Sequence, residues 1–157
     1  MKYTINLSHK DIEYLTHRFE DAQKSLNRMV DEACRRLAEI GLEKARVNFF
    51  NVTYDGTNDT NVSVEKRDGG YAVVANGQAV LFIEFGSGLV GFGHPEPHGM
   101  GPGTYPGKGH WNDPNGWYYA HGKKSHGNPP NMPMYTAEKE LEQEVERIVK
   151  EVFDLYQ

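Results

Sequence analysis

Five of the seven histidines, His94, His98, His110, His121 and His126, fall within residues 86–132. Imidazole binds metals and titrates near neutral pH, so a histidine cluster is where metal-assisted hydrolysis would be sought first. His94 and His98 are four apart, a spacing that puts two ligands on one face of a helix, but Pro95, Pro97 and Gly99 break any helix there. There is no His-Glu-x-x-His motif, and Cys34 is the only cysteine. A zinc site therefore lacks a recognisable ligand set. The histidines read as loop and interface residues, some hydrogen-bonded to backbone carbonyls. A metal-dependent hydrolase using them is the less favoured alternative, and no metal or cofactor is expected.

The run Gly86-Ser87-Gly88-Leu89-Val90-Gly91 matches G-x-G-x-x-G. A dinucleotide site also needs a helix opening at that loop, and Phe92-Gly93-His94-Pro95 forbids one. Glu84 ends an apolar run, where a half-buried carboxylate could have a raised pKa. The sequence supplies no catalytic partner for it, so a main-chain amide or a neighbour's basic residue is the expected contact. Cys34 lies among Ala33, Leu37 and Ala38 and reads as a small buried hydrophobe. Lys123-Lys124 reads as a solvated loop tip. The expectation from these residues is a protein that is not an enzyme.

The elements that would position these residues form one α+β domain spanning 1–157. Ser8 and Asp11 form a capping-box start for a helical segment, 8–50. Ile12, Leu15, Phe19, Ala22, Leu26, Met29, Ala33, Leu37 and Ile40 follow at spacings of three and four, one apolar stripe along a helix. About 40 helical residues would span roughly 60 Å, too long for a compact domain of this size. Either a break near Ser25–Asn27 or Gly41, or a helix reaching outward to another subunit, is expected. Residues 51–60 read as a turn-rich linker.

Residues 61–85 read as a three-stranded antiparallel meander. Val62 and Val64 alternate with polar residues, Asp68-Gly69 makes a tight turn, and Tyr71–Ala75 forms the second strand. Asn76-Gly77 suggests a type I′ hairpin into a third strand, Ala79–Phe85. Residues 134–156 read as one C-terminal helix, capped at Thr136, with Ala137, Leu141, Val145, Ile148, Val152 and Leu155 along its apolar face.

Between these elements, residues 86–132 hold 12 of the 17 glycines, 7 of the 8 prolines and both tryptophans. They show neither helical nor strand periodicity. A loop of this length is unusual inside a compact domain unless it is functional or disordered, and its aromatic content argues against plain disorder. It reads as an arm that orders against a partner. The formal net charge of −5 argues against a general nucleic-acid binder and against docking on an anionic membrane. The polar start, Met1–Asn6, has no apolar core of a signal peptide, and no stretch is long and apolar enough to span a bilayer. With a single cysteine nothing demands an oxidising compartment.

Two segments carry a resemblance. Ala79-Val80-Leu81-Phe82-Ile83-Glu84-Phe85-Gly86-Ser87-Gly88 resembles the Val/Ile-Glu-Phe/Tyr-Gly-Thr-Gly signature of a phage tail-component family, the tail-completion or head–tail joining neck proteins of long-tailed phages. Gly127-Asn128-Pro129-Pro130-Asn131-Met132-Pro133-Met134-Tyr135 is similar to that family's second signature, which leads into the C-terminal helix. Gly107–His110 and Gly116–Tyr119 resemble members with a long glycine-rich loop. The chain departs from the family in Ser87, where threonine is usual, and in Tyr54–Asn58, which lacks the Pro-x-Asp-Thr-Gly-x-Leu-Arg pattern.

The resemblance implies a structural virion protein, made in the host cytoplasm. It would form a homo-oligomeric ring, a hexamer as first expectation, that completes the tail or joins it to the head. Its partners would be further copies of itself and adjacent head-closure, adaptor, tail-terminator or tail-tube proteins. Phage DNA would pass through the lumen without sequence-specific binding. A tail-terminator ring capping tube growth is the structural alternative. The residues expected at interfaces are Glu84, Phe85, Gly86, Gly88, Phe92, Tyr105, Trp111, Trp117, Tyr118, Tyr119, Asn128, Met132, Met134 and Tyr135.

Overall fold

The computed structural model describes residues 8–52, 59–87, 115–118 and 122–156. Ser8 caps the first helix, α1 (His9–Phe50): its hydroxyl accepts the Asp11 N–H at 3.2 Å and donates to the Asp11 carboxylate at 2.7 Å. The helix then runs 42 residues without interruption, roughly 63 Å at about 1.5 Å per residue. The expected break is absent. Gly41 is a contact residue, where an added Cβ would sit 3.2 Å from Leu141 and 3.3 Å from Val73. The outward-reaching helix is the alternative that the structure adopts.

β1 (Asn61–Arg67) and β2 (Gly70–Asn76) pair antiparallel in continuous register from Asn61 opposite Asn76 to Arg67 opposite Gly70. Asp68 and Gly69 turn the chain, with Gly69 at φ 86°. Cross-strand partners share a face, so Val62, Val64, Val73 and Ala75 lie on one side. Val62, Val73 and Ala75 from that side join a core with Leu42, Ala45 and Phe49 of α1. Arg46 fastens the hairpin to the helix by donating to the Val62 carbonyl, at 3.0 Å from Nη2.

The expected third strand does not form, and this sheet has two strands. Val80–Phe85 is a short helix, α2. Val80, Ile83 and Glu84 are its buried residues, which is helical spacing, and Leu81 faces solvent. A short apolar run does not distinguish strand from helix by period. A six-residue helix has little stability of its own, so remote groups at both ends decide the matter. The Asp59 carboxylate accepts the Gln78 N–H at 2.8 Å and the Ala79 N–H at 3.5 Å. At the other end the carbonyls of Phe82, Ile83 and Glu84 accept from Asn128 Nδ2, Asn131 N and Met132 N at 3.1, 2.9 and 3.3 Å. Asn76-Gly77 is accordingly no hairpin turn. A Cβ at Gly77 would lie 3.0–3.2 Å from Asp59 and Thr60, so glycine is there for close backbone approach.

The C-terminal helix is also corrected. It begins earlier, at Pro133, and is two helices: α3 (Pro133–Glu142) and α4 (Val145–Leu155). Both lie along α1 and run back toward its start. Ala137 and Met134 of α3 pack into the core around Ala45 and Phe49, whereas Ile148 and Val152 of α4 pack with Ala33, Met29, Leu37 and Ile40. The break lets two stretches of one apolar stripe rotate separately onto a single unbroken helix. Val145 beside the break and Leu155 at the end are exposed as a result. None of the described helices is long and apolar enough to cross a membrane.

Candidate functional site

The segments carrying the resemblance meet in space. Ser87 forms a β-bridge with Asn128, and its buried hydroxyl is hydrogen-bonded to Asn128 Oδ1. Together with the three bonds from residues 128–132 to the end of α2, this joins Gly86–Ser87 to residues 128–132. Gly86 at φ 77° turns the chain out of α2. A side chain is strained in that conformation.

Glu84 sits at the centre of this clasp. Its side chain is buried, and its two oxygens accept the amides of Met134 (Oε2, 2.9 Å) and Tyr135 (Oε1, 3.0 Å). These are the second and third residues of α3. The first, Pro133, has no N–H, and the Thr136 amide reaches the Met132 carbonyl at 2.9 Å. Every donor of the first turn is thereby accounted for, although Met132, the cap residue, supplies no side-chain bond. Met132 itself holds the left-handed conformation, φ 52° and ψ 46°, rare for a residue with a Cβ. Its amide is held by the Glu84 carbonyl. Glu84 thus performs from 50 residues away the task that an N-cap residue normally performs locally.

Burial pushes the Glu84 carboxyl above the ordinary glutamate range, and the Met134 and Tyr135 amides offset only part of that rise. Both oxygens are committed to backbone donors, so the geometry is that of a structural cap. Asp59 is the exposed counterpart. The Gln78 amide is the main cause of its lowered pKa, assisted by the Ala79 amide.

The described residues that precede the clasp form a small ribbon. β3 (Trp117–Tyr118) pairs with β4 (Lys124–Ser125), followed by β5 (Gly127–Asn128). Gly116, at φ 74°, is required because a Cβ there would lie 2.3 Å from the Ser125 carbonyl oxygen. Tyr118 is largely exposed, as is Lys124 opposite it.

Of the residues expected at interfaces, the fold brings together Glu84, Gly86, Asn128, Met132, Met134 and Tyr135 in the clasp, with Phe85 half-buried beside them. Tyr118 stands apart on the ribbon, and Trp117 is placed there by its backbone. Gly88, Phe92, Tyr105, Trp111 and Tyr119 lie outside the described residues, as do His94, His98, His110 and His121. Among the described residues no group of three His, Cys, Asp or Glu side chains is placed to hold a metal ion. Asp59 and Asn131 were not legible as site residues, since their roles are to serve a helix remote in sequence.

Beside the clasp runs an apolar groove of about 570 Å³ between α1, β2 and α3. Leu37, Gly41, Val73, Met134 and Leu141 line it, with the half-buried Cys34. Comparison with protein-family models, curated proteins and solved structures finds no match to this chain.

Proposed function

We propose that the chain is a structural subunit of the neck or tail of a long-tailed bacteriophage, a ring-forming protein that completes the tail or joins it to the head, and not an enzyme. The observation that carries this reading is the clasp. The two segments resembling the tail-component signatures are 41 residues apart at Ser87 and Asn128, yet the fold uses them together. One supplies a buried carboxylate and three carbonyls; the other supplies the amides and the asparagine that satisfy them. Such a base holds both ends of the arm at one point of a rigid body, which lets the arm dock on a partner without loosening the fold.

In a ring each subunit offers one surface to the neighbour's different surface, and closure sets the copy number. The arm, rich in glycine and aromatic residues, is suited to such a contact: glycine permits close backbone approach and aromatic rings supply buried area. DNA would pass through the lumen. The test is deletion of the gene in the phage that encodes it, with electron microscopy of the lysate. Separate heads and tails are the expected result, and restoration requires the arm. Normal infectious particles from the deletion would overturn the proposal.

A further inference from the structure

We propose that residues 9–25 of α1 pair antiparallel with the same residues of a second copy, forming a short two-helix coiled coil. The argument starts from where α1 is covered. α4 runs antiparallel along it, and Tyr156, just past α4, stands beside Asn27 and Arg28. The preceding 18 residues of α1 project roughly 27 Å further at about 1.5 Å each. The apolar stripe does not stop with its cover. Ile12, Leu15, Phe19, Ala22 and Leu26 continue the line of Met29 and Ala33, which α4 covers. Ile12 is 51% exposed, Phe19 72% and Leu26 47%.

Three observations identify the occupant. The seam is a strict three–four repeat from Ile12 to Leu26, flanked by Asp11, Thr16, Arg18, Gln23 and Ser25. A stripe that narrow fits one helix and not a sheet or broad groove. Its established occupant further along is an antiparallel amphipathic helix of the same chain, so the distal interface continues one that already exists. Finally, residues 9–28 carry four cations and four anions, while the whole chain carries −5. The projecting helix is thus the neutral part of an acidic molecule. Antiparallel pairing sends the two acidic bodies to opposite ends, whereas parallel pairing sets them side by side.

Side-chain size favours the same orientation. A parallel pair would stack Phe19 on Phe19 and Ala22 on Ala22, one layer crowded and one hollow. Antiparallel layers set Leu15 against Phe19 and Ile12 against Ala22, large with smaller. In that register Thr16 faces Thr16 of the second copy across the dyad, and the partner's start stops short of α4. The one like-charged approach, Arg18 near Arg18, is exposed and costs little. A helix pair of this length removes on the order of 1,000 Å² from water, the lower end of specific interfaces, so association should be concentration-dependent. The pairing does not rest on the neck reading. It is isologous and leaves the clasp and arm free for a cyclic contact.

The test uses the full chain carrying Cys34→Ala, with Thr16→Cys or Leu26→Cys added, oxidised at concentrations where sedimentation shows association. Thr16→Cys should cross-link to a dimer. Leu26→Cys should not, because two copies of that position lie roughly 27 Å apart along the pair. Phe19→Asp should weaken association by more than about tenfold while leaving the circular dichroism of the dilute protein unchanged. Cross-linking through Leu26→Cys but not Thr16→Cys would show a parallel pair and overturn the proposal. So would a chain that stays monomeric at high concentration, or unaltered association of the Phe19→Asp variant.

Discussion

The two halves of α1 carry the same periodicity but opposite contents. The half that packs inward is built mainly on small residues: Ala33, Ala38, Gly41 and Ala45 are buried against the hairpin, α3 and α4, and Phe49 is the one large residue buried with them. The half that projects carries larger ones, Ile12, Leu15, Phe19 and Leu26, of which Phe19 is the most exposed. Small side chains bring three elements close to one helix, and Ile83 and Val152 of the neighbours, with Phe49 of α1 itself, then supply the buried bulk. Large side chains on a bare helix bury nothing within the described chain. Periodicity marks a face as apolar; residue size indicates whether the covering element comes in close.

The sharpest way to break this comparison is at its two extremes. Ile83→Ala removes a fully buried side chain from the core at the end of the inner half. It should lower unfolding stability by about 2–5 kcal/mol, read from urea denaturation. Phe19→Ala in dilute protein should change the same measurement by less than about 0.5 kcal/mol. Equal losses would mean that the outer half is packed in solution.

Glu84→Ala should cost about 2–4 kcal/mol, since it strips two buried amides of their acceptor and uncaps α3. Hydrogen exchange at Met134 and Tyr135 should accelerate first. A loss below about 0.5 kcal/mol would show that the clasp is incidental. Gly41→Leu should cost about 1–3 kcal/mol by overpacking against Leu141 and Val73, and thermal melting measures it.

The two remote carboxylate caps should respond to pH in opposite senses. Glu84 has a raised folded pKa. Its protonation-linked stability is complete below the ordinary glutamate value and is lost as pH rises through the raised one. Wild type should therefore gain on Glu84→Gln as pH falls through that window. Asp59 has a lowered folded pKa. Its contribution is present above the ordinary aspartate value and is lost as pH falls through the lowered one, so wild type should lose ground to Asp59→Asn in acid. Paired denaturation curves across the acid range check both signs.

Local signals hold where the deciding groups lie within one turn of each other. Ser8 and Asp11 start α1, and Asp68-Gly69 turns the hairpin. They fail where the deciding groups are remote. Ala79–Phe85 has the composition of a strand and becomes a helix because Asp59, Asn128 and Asn131 serve its two ends. Thr136 has the chemistry of a cap, but α3 starts three residues earlier, where Glu84 serves the amides. Glu84 itself was legible as an unusual carboxylate at the end of an apolar run. Its partners were not, because nothing near it in sequence names Met134 or Tyr135.

The sequence alone determined the long amphipathic helix, the first hairpin and the clustering of glycine and aromatic residues in residues 86–132. Each depends on periodicity, turn chemistry or composition, which are properties of neighbours along the chain. Tertiary structure alone decided that α1 stays unbroken, that α2 is helical and that the C-terminal stripe splits in two. It also decided that the segments around Ser87 and Asn128 meet beside one buried carboxylate. A helix end needs hydrogen-bond partners, and whether these come from the next turn or from 50 residues away is settled only when the chain has folded.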